Sequence, residues 1–158
     1  MLSLLLRNLI FTILQPGVVT VLIPYLLLRN AGDKNFFPDS WTVWHYVGAL
    51  IMILGFSILL SCILRFVTEG KGTISPVDPT KKLVAKGLYR YSRNPMYVGA
   101  MLALTGEAVF WQSIVLAIYA SIVFIAFNLF IIFHEEPRLK RDFGTEYESY
   151  FQKVRRWL

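Results

Sequence analysis

Two short segments of this chain carry residues that could do chemistry together. One is Gly87-Leu-Tyr-Arg-Tyr-Ser-Arg-Asn-Pro-Met-Tyr-Val-Gly99, basic and aromatic; the other is His134-Glu-Glu-Pro-Arg138. Arg90 and Arg93 offer guanidinium forks that match a carboxylate or phosphate. Asn94-Pro95 reads as a helix start, with Asn as N-cap and Pro at the first helical position. The positive end of that helix dipole then lies beside both arginines, and together they form an anion site. Glu135 and Glu136 directly follow an apolar run. At a helix C-terminus such carboxylates oppose the macrodipole unless a cation offsets them. Pro137 offers an alternative, a new helix in which Glu136 is a favourable first-turn residue. His134 by itself is no metal site, and no metal is expected.

The elements that position these residues follow from composition. The chain has 158 residues, 56% hydrophobic and 16% charged, against about 25% charged in a typical soluble domain. That balance predicts an all-α integral membrane protein of about four transmembrane helices, spanning about 8–28, 44–67, 95–111 and 113–133. Pro95–Trp111 and Ser113–Phe133 form a tight hairpin in this reading, which returns the glutamates to the membrane face that carries the arginines. Glu107 interrupts the apolar run and is expected to reach the outer headgroups. The first span is too long for a secretory signal and lacks a small-residue cleavage site.

Charge sets the orientation. Of 16 Lys and Arg, Arg7 precedes the first span, and Arg29 and Lys34 fall in the first loop. Seven lie from Arg65 to Arg93 and six from Arg138 to Arg156. The positive-inside rule makes the 68–94 loop, the 134–158 segment and both termini cytoplasmic, in an inner or plasma membrane. The net charge of +6 fits anionic headgroups; no basic soluble face is separable, so nucleic acid is not a partner. Cys62 lies within the second span, without a disulfide or metal-ligand companion. The loop carries Gly70, Gly72, Pro76, Pro79 and Gly87 and reads as irregular, expected to order on ligand binding and so to slow protease cutting near Lys81 and Lys82. Glu69-Gly-Lys-Gly72 lacks the strand and the full spacing of a dinucleotide turn. After Gly144, Thr145-Glu-Tyr-Glu148 fits a capping box. The helix it starts aligns Tyr147, Tyr150, Phe151, Val154 and Trp157 on one face, with Lys153, Arg155 and Arg156 largely opposite. This is an interfacial amphipathic helix whose aromatic face is available either to lipid or to a ligand it folds over, lipid being the expected contact.

From Gly70 to Leu158, the segment Leu-Tyr-Arg-Tyr-Ser-Arg-Asn-Pro-Met-Tyr-Val-Gly, the apolar hairpin, and Glu-Glu-Pro-x-Leu…Phe-Gly-x-x-Tyr-x-x-Tyr resemble the isoprenylcysteine carboxyl methyltransferase and phospholipid methyltransferase superfamily. The first two spans match only as generic membrane helices. The resemblance implies an S-adenosylmethionine-dependent enzyme that binds its cofactor from the cytosol. It carries the family's R-H-P-x-Y signature onto Arg93, Asn94, Pro95 and Tyr97, with Asn94 where the eukaryotic enzymes have histidine. It carries the paired glutamates onto Glu135 and Glu136, beside His134, and the C-terminal aromatic segment onto Tyr147 and Tyr150.

Methyl transfer from a sulfonium needs positioning more than acid–base power. Arg93 or Arg90 would hold a substrate carboxylate, and Glu135 or Glu136 the cofactor's ammonium or ribose. An amphiphilic or lipidated acid is the expected acceptor, its tail left in the bilayer. Phospholipid N-methylation, thiol methylation, an NADPH-dependent reductase of the sterol type and a non-catalytic membrane protein are the alternatives. Against the reductase, Val98-Gly99 follow Tyr97 where an acid is expected.

Overall fold

The computed structural model describes residues 16–30, 40–69, 83 and 85–157. Every element among them is helical, as expected. They are α1 (Val18–Asn30), α2 (Val43–Glu69), a 3-10 turn (Gly87–Arg90), α3 (Pro95–Phe110) and α4 (Ile114–Phe130). The last runs on through a π turn (Ile131–Glu135) into α5 (Glu136–Lys153). Among the described residues, an isolated bridge from Ser92 to Arg155 is the one pairing of extended backbone. The loop positions Gly70, Gly72, Pro76, Pro79, Lys81 and Lys82 lie outside the described residues, as do Arg7, Lys34, Leu158 and the start of the first span.

Among the described residues, two helices are long and apolar enough to cross a bilayer: α2, and the helix that begins at Ile114. α1 and α3 are apolar but shorter. Leu50, Ile53, Leu54 and Leu60 on α2, and Ile118, Ile122, Ile125 and Leu129 on α4, face outward. Such apolar rows are unfavourable in water and suit hydrocarbon.

Hydrocarbon surrounds give helices little hydrophobic reason to associate, so contact depends on close approach. Gly48 and Gly55 on α2 meet Gly99, Ala103 and Gly106 on α3. A Cβ on Gly55 would stand 2.5 Å from the Ala103 nitrogen, and one on Gly106 would stand 2.6 Å from the Met52 nitrogen. The two backbones therefore touch. Each glycine pair recurs two helical turns apart, which keeps it on one face. Beyond this seam Cys62 is fully buried beside Tyr89, with Ile58, Leu88 and Met96 around them. That contact fastens the 3-10 turn to α2 and fixes where Arg93 emerges.

On its other side α3 packs against α4 through Leu104, Ala120 and Val123, with Val19 and Tyr119 alongside. The Tyr119 hydroxyl donates to the Val19 carbonyl at 2.9 Å. The turn between them needs Gln112 at φ 48°, and the Ser113 hydroxyl caps α4 by accepting from the Leu116 amide at 3.5 Å. Glu107 corrects an expectation. It does not reach out to headgroups but is buried, and its Oε2 has no hydrogen-bond partner among the described residues. The reason is periodicity: Glu107 follows Ala100, Ala103 and Leu104 at helical spacing, and that stripe is the buried one.

Candidate functional site

The helix after Phe133 does not end. Pro137 has no amide hydrogen to give, and its ring crowds the carbonyl four residues back. The wider π turn Ile131–Glu135, directly upstream, accommodates this, and the chain stays helical to Lys153. Glu135 and Glu136 are thus mid-helix residues at a π turn and not the acidic end of a helix, which corrects the macrodipole argument. The alternative, a proline-led helix, is nearer to what forms. Pro24 follows the π turn Val18–Leu22 in the same way.

Gly144, at φ 51° and ψ −126°, breaks α5 in two. No neighbouring atom lies within 4 Å of where its Cβ would be, so it is the backbone conformation that favours glycine there. The second half folds back along the first. An open cleft of about 560 Å³ forms between them, lined by Ile132, Glu136, Pro137, Lys140, Tyr147, Glu148, Phe151 and Gln152. Lys140 Nζ and Glu148 Oε1 pair across the two halves at 2.9 Å; both are exposed, so the pair adds little stability.

The aromatic face of the second half turns inward, contrary to the expectation of lipid contact. Tyr147 is buried, and the Tyr150 hydroxyl donates to the Tyr89 carbonyl at 2.6 Å. The Arg93 guanidinium lies 3.8 Å over the Phe151 ring, a cation–π contact. Val154 and Trp157 leave the stripe, because the helix ends at Lys153 and Val154 is extended. The tail runs beside residues 92–94. The Arg93 amide donates to the Arg155 carbonyl at 2.8 Å. The Ser92 hydroxyl and the Asn94 Nδ2 donate to the Arg156 carbonyl at 3.2 and 3.1 Å. Trp157 Nε1 donates to Asn128 Oδ1 at 3.2 Å. Asn94 does sit at the N-cap position with Pro95 first in the helix, but its side chain makes no capping bond. Its Nδ2 is turned to the Arg156 carbonyl, and its Oδ1 accepts from no amide of the first turn.

Charges then converge. Arg156 Nε and Nη2 hold the two oxygens of Glu136 at 2.9 and 3.0 Å, and this bond is the main reason the Arg156 guanidinium is driven above its ordinary basicity. Arg93 Nη1 stands 3.2 Å from Glu136 Oε1, with only 8% of the Arg93 side chain exposed. That approach is too poorly aligned for a hydrogen bond, and Arg93 Nε and Nη1 and Arg138 Nε are buried donors without one among the described residues. Glu135 Oε2 accepts from the Tyr97 hydroxyl at 2.8 Å, while the Tyr97 ring meets Phe127 edge-on at 4.7 Å. Burial pushes the Tyr89 phenol well above its ordinary value, so it stays neutral beside this cluster.

Of the residues expected at the site, the structure gathers Arg93, Asn94, Pro95, Tyr97, Glu135, Glu136 and Tyr147. Arg90 is exposed on the 3-10 turn, and His134 is exposed with its ring against Phe130. Sequence reasoning missed Arg156. Nothing local distinguishes it from its exposed neighbour Arg155, since its role comes from a contact with Glu136 far away in the chain.

Comparison with known proteins places this arrangement among others. A family model described as phospholipid methyltransferase matches residues 43–146. The chain is 30% identical over 136 residues to a probable protein-S-isoprenylcysteine O-methyltransferase of Oryza sativa subsp. indica, covering 82% of this chain and 70% of that protein. It is 29% identical over 135 residues to protein-S-isoprenylcysteine O-methyltransferase B of Arabidopsis thaliana, covering 81% and 66%. An uncharacterised protein of Haemophilus influenzae is 44% identical over 64 residues, which is 40% of this chain and all of that protein. No solved structure gives a significant match.

Proposed function

The chain belongs to the phospholipid methyltransferase family, and from that premise we propose that it transfers a methyl group from S-adenosylmethionine to the carboxylate of a membrane-embedded or amphiphilic acid. The observation that carries this reading is Arg93: a buried guanidinium with Nε and Nη1 unspent. Burying donors without partners costs free energy, and an anionic ligand group removes that cost. Three arginines (Arg93, Arg138, Arg156) face two glutamates here, a surplus of positive charge that repels an amine acceptor and attracts a carboxylate.

The residues present fit the cofactor. The cleft has the size of a small-molecule site, and Tyr147 and Phe151 form an aromatic wall for a planar base. Glu135 keeps Oε1 for the ammonium or a ribose hydroxyl, since Tyr97 holds Oε2. Glu136, Asn94 and Pro95 shape the site, their polar groups being spent within the protein. Bound there, the cofactor supplies an electrophilic methyl on a sulfonium. The acceptor is already ionised at neutral pH, so no residue has to remove a proton. Arg93 orients it, and the neutral phenols of Tyr97 and Tyr147 keep water out. In the membrane, the chain crosses four times with both termini cytoplasmic. The seven basic residues from Arg65 to Arg93 and the six from Arg138 to Arg156 support that orientation, as does Ser113 capping a tight hairpin.

The test is acceptor-resolved. Purified protein in nanodiscs receives labelled S-adenosylmethionine with an S-prenylated N-acetylcysteine, a long-chain fatty acid or phosphatidylethanolamine. Base-labile label in either acid is expected. Label in the aminolipid would replace the acid by an amine, and no label with no cofactor binding would sink the reading. Arg93→Lys keeps charge but loses the fork, so turnover should fall roughly 10- to 100-fold while cofactor affinity survives. Glu135→Gln should weaken cofactor binding over a similar range in calorimetric titration. The reverse pattern would exchange the two roles.

A further inference from the structure

We infer that Arg156 is a positioning residue: by clamping both oxygens of Glu136, it keeps Nε and Nη1 of Arg93 available to the anionic group of a ligand. The ligand's identity rests on the reading above; the clamp itself does not. A carboxylate next to a buried guanidinium ordinarily closes into a two-bond fork. Glu136 does so with Arg156, at 2.9 and 3.0 Å. Its approach to Arg93, 3.2 Å and misaligned, is what remains. One carboxylate is thus shared unequally between two arginines, and the inequality leaves Arg93 buried on the Phe151 ring with no hydrogen bond at Nε or Nη1 among the described residues.

The unequal sharing has a visible cause in the main chain. Three hydrogen bonds fix the tail that carries Arg156, from the Arg93 amide, the Ser92 hydroxyl and the Asn94 side chain. A fourth ties Trp157 to Asn128 on α4. Arg156 is therefore placed by the very segment that carries Arg93, so the clamp and the arginine it serves move together. Asn94 acquires a role here: its Nδ2 donates to the carbonyl of Arg156. Lysine at position 156 could not replace the arginine, because a single ammonium cannot occupy both carboxylate oxygens in one plane.

The experiment reads Arg93 directly. Protein labelled with 15N-arginine in nanodiscs is compared as wild type, Arg156→Met, Arg156→Lys and Arg156→Met/Glu136→Gln. In Arg156→Met the freed Glu136 should turn onto Arg93, so the Arg93 Nε–H resonance gains a hydrogen bond, shifts downfield and exchanges more slowly with water. Adding Glu136→Gln should return it toward wild type. Kinetically, KM for whichever acid is methylated should rise roughly 10- to 100-fold in Arg156→Met, with cofactor affinity within about threefold, and the second substitution should recover most of it. Arg156→Lys, the gentler change, should fall between and serves if the methionine variant does not fold. An unmoved Arg93 resonance, or activity that only follows the thermal midpoint and is not recovered by Glu136→Gln, overturns the inference. If wild type methylates no acceptor, the functional reading fails, yet the resonance still decides the clamp.

Discussion

Along the α2–α3 seam the chain joins helices by removing side chains; at the start of α3 it joins segments by adding charge. In the seam, Gly48, Gly55, Gly99 and Gly106 leave backbone against backbone. At the site, Arg93, Glu136 and Arg156 draw α3, α5 and the tail to one point. The difference reflects surroundings. Within hydrocarbon a charge is costly, and close van der Waals contact is the available force. In the proposed topology the site lies at the membrane boundary, where water reaches one side of a group and a paired charge costs less. Glu107 is the exception that links the two, a carboxyl among seam and core residues whose Oε2 has no hydrogen-bond partner among the described residues, where Glu136 has two cations.

The comparison can be broken at its charged end first. Glu136→Ala leaves Arg93 and Arg156 together without a counter-charge. We expect a loss of about 3 kcal/mol, the lower part of the range for a broken buried pair because Arg156 is a third exposed; thermal melts in nanodiscs measure it. In the seam, Gly55→Ala sets a methyl against the Ala103 backbone, which cannot step aside as a side chain would. A cost of about 2 kcal/mol follows from overpacking, and unchanged melting would mean that α2 and α3 are looser than the structure has them. Gly144→Ala isolates backbone conformation from packing, since no atom lies near its Cβ. About 1 kcal/mol is expected, with a wider cleft seen as faster proteolysis near Lys140. Glu107→Gln is the smallest change. It removes a carboxyl that has a partnerless oxygen and keeps its shape, so stability should stay within about 0.5 kcal/mol and turnover should persist. Abolished turnover in a folded variant would give Glu107 a function that the site at the other end of α3 does not explain.

Much of the fold was legible because helix-forming apolar runs declare themselves by length and composition. The α3–α4 hairpin, the proline at the head of α3 and the pairing of an arginine segment with two glutamates are all local or nearly local signals. What misled was any inference that depended on which face a residue takes. Glu107 looked like a break in an apolar run, although its stripe is buried. The stripe from Tyr147 to Trp157 looked like one helical face, although the helix stops at Lys153.

By itself, then, the sequence determined that the chain is helical and membrane-bound, and that Arg93, Glu135 and Glu136 would come to one end of a hairpin. Those outcomes follow from composition, periodicity and the reach of a helix, which are properties of contiguous residues. Only the tertiary structure decided that the glutamates lie at a π turn in a continuing helix, that Asn94 spends its amide on the tail, and that Arg156 takes Glu136 from Arg93. The π turn reflects how the helix accommodates Pro137, whereas the other two depend on distances set by segments far apart in the chain.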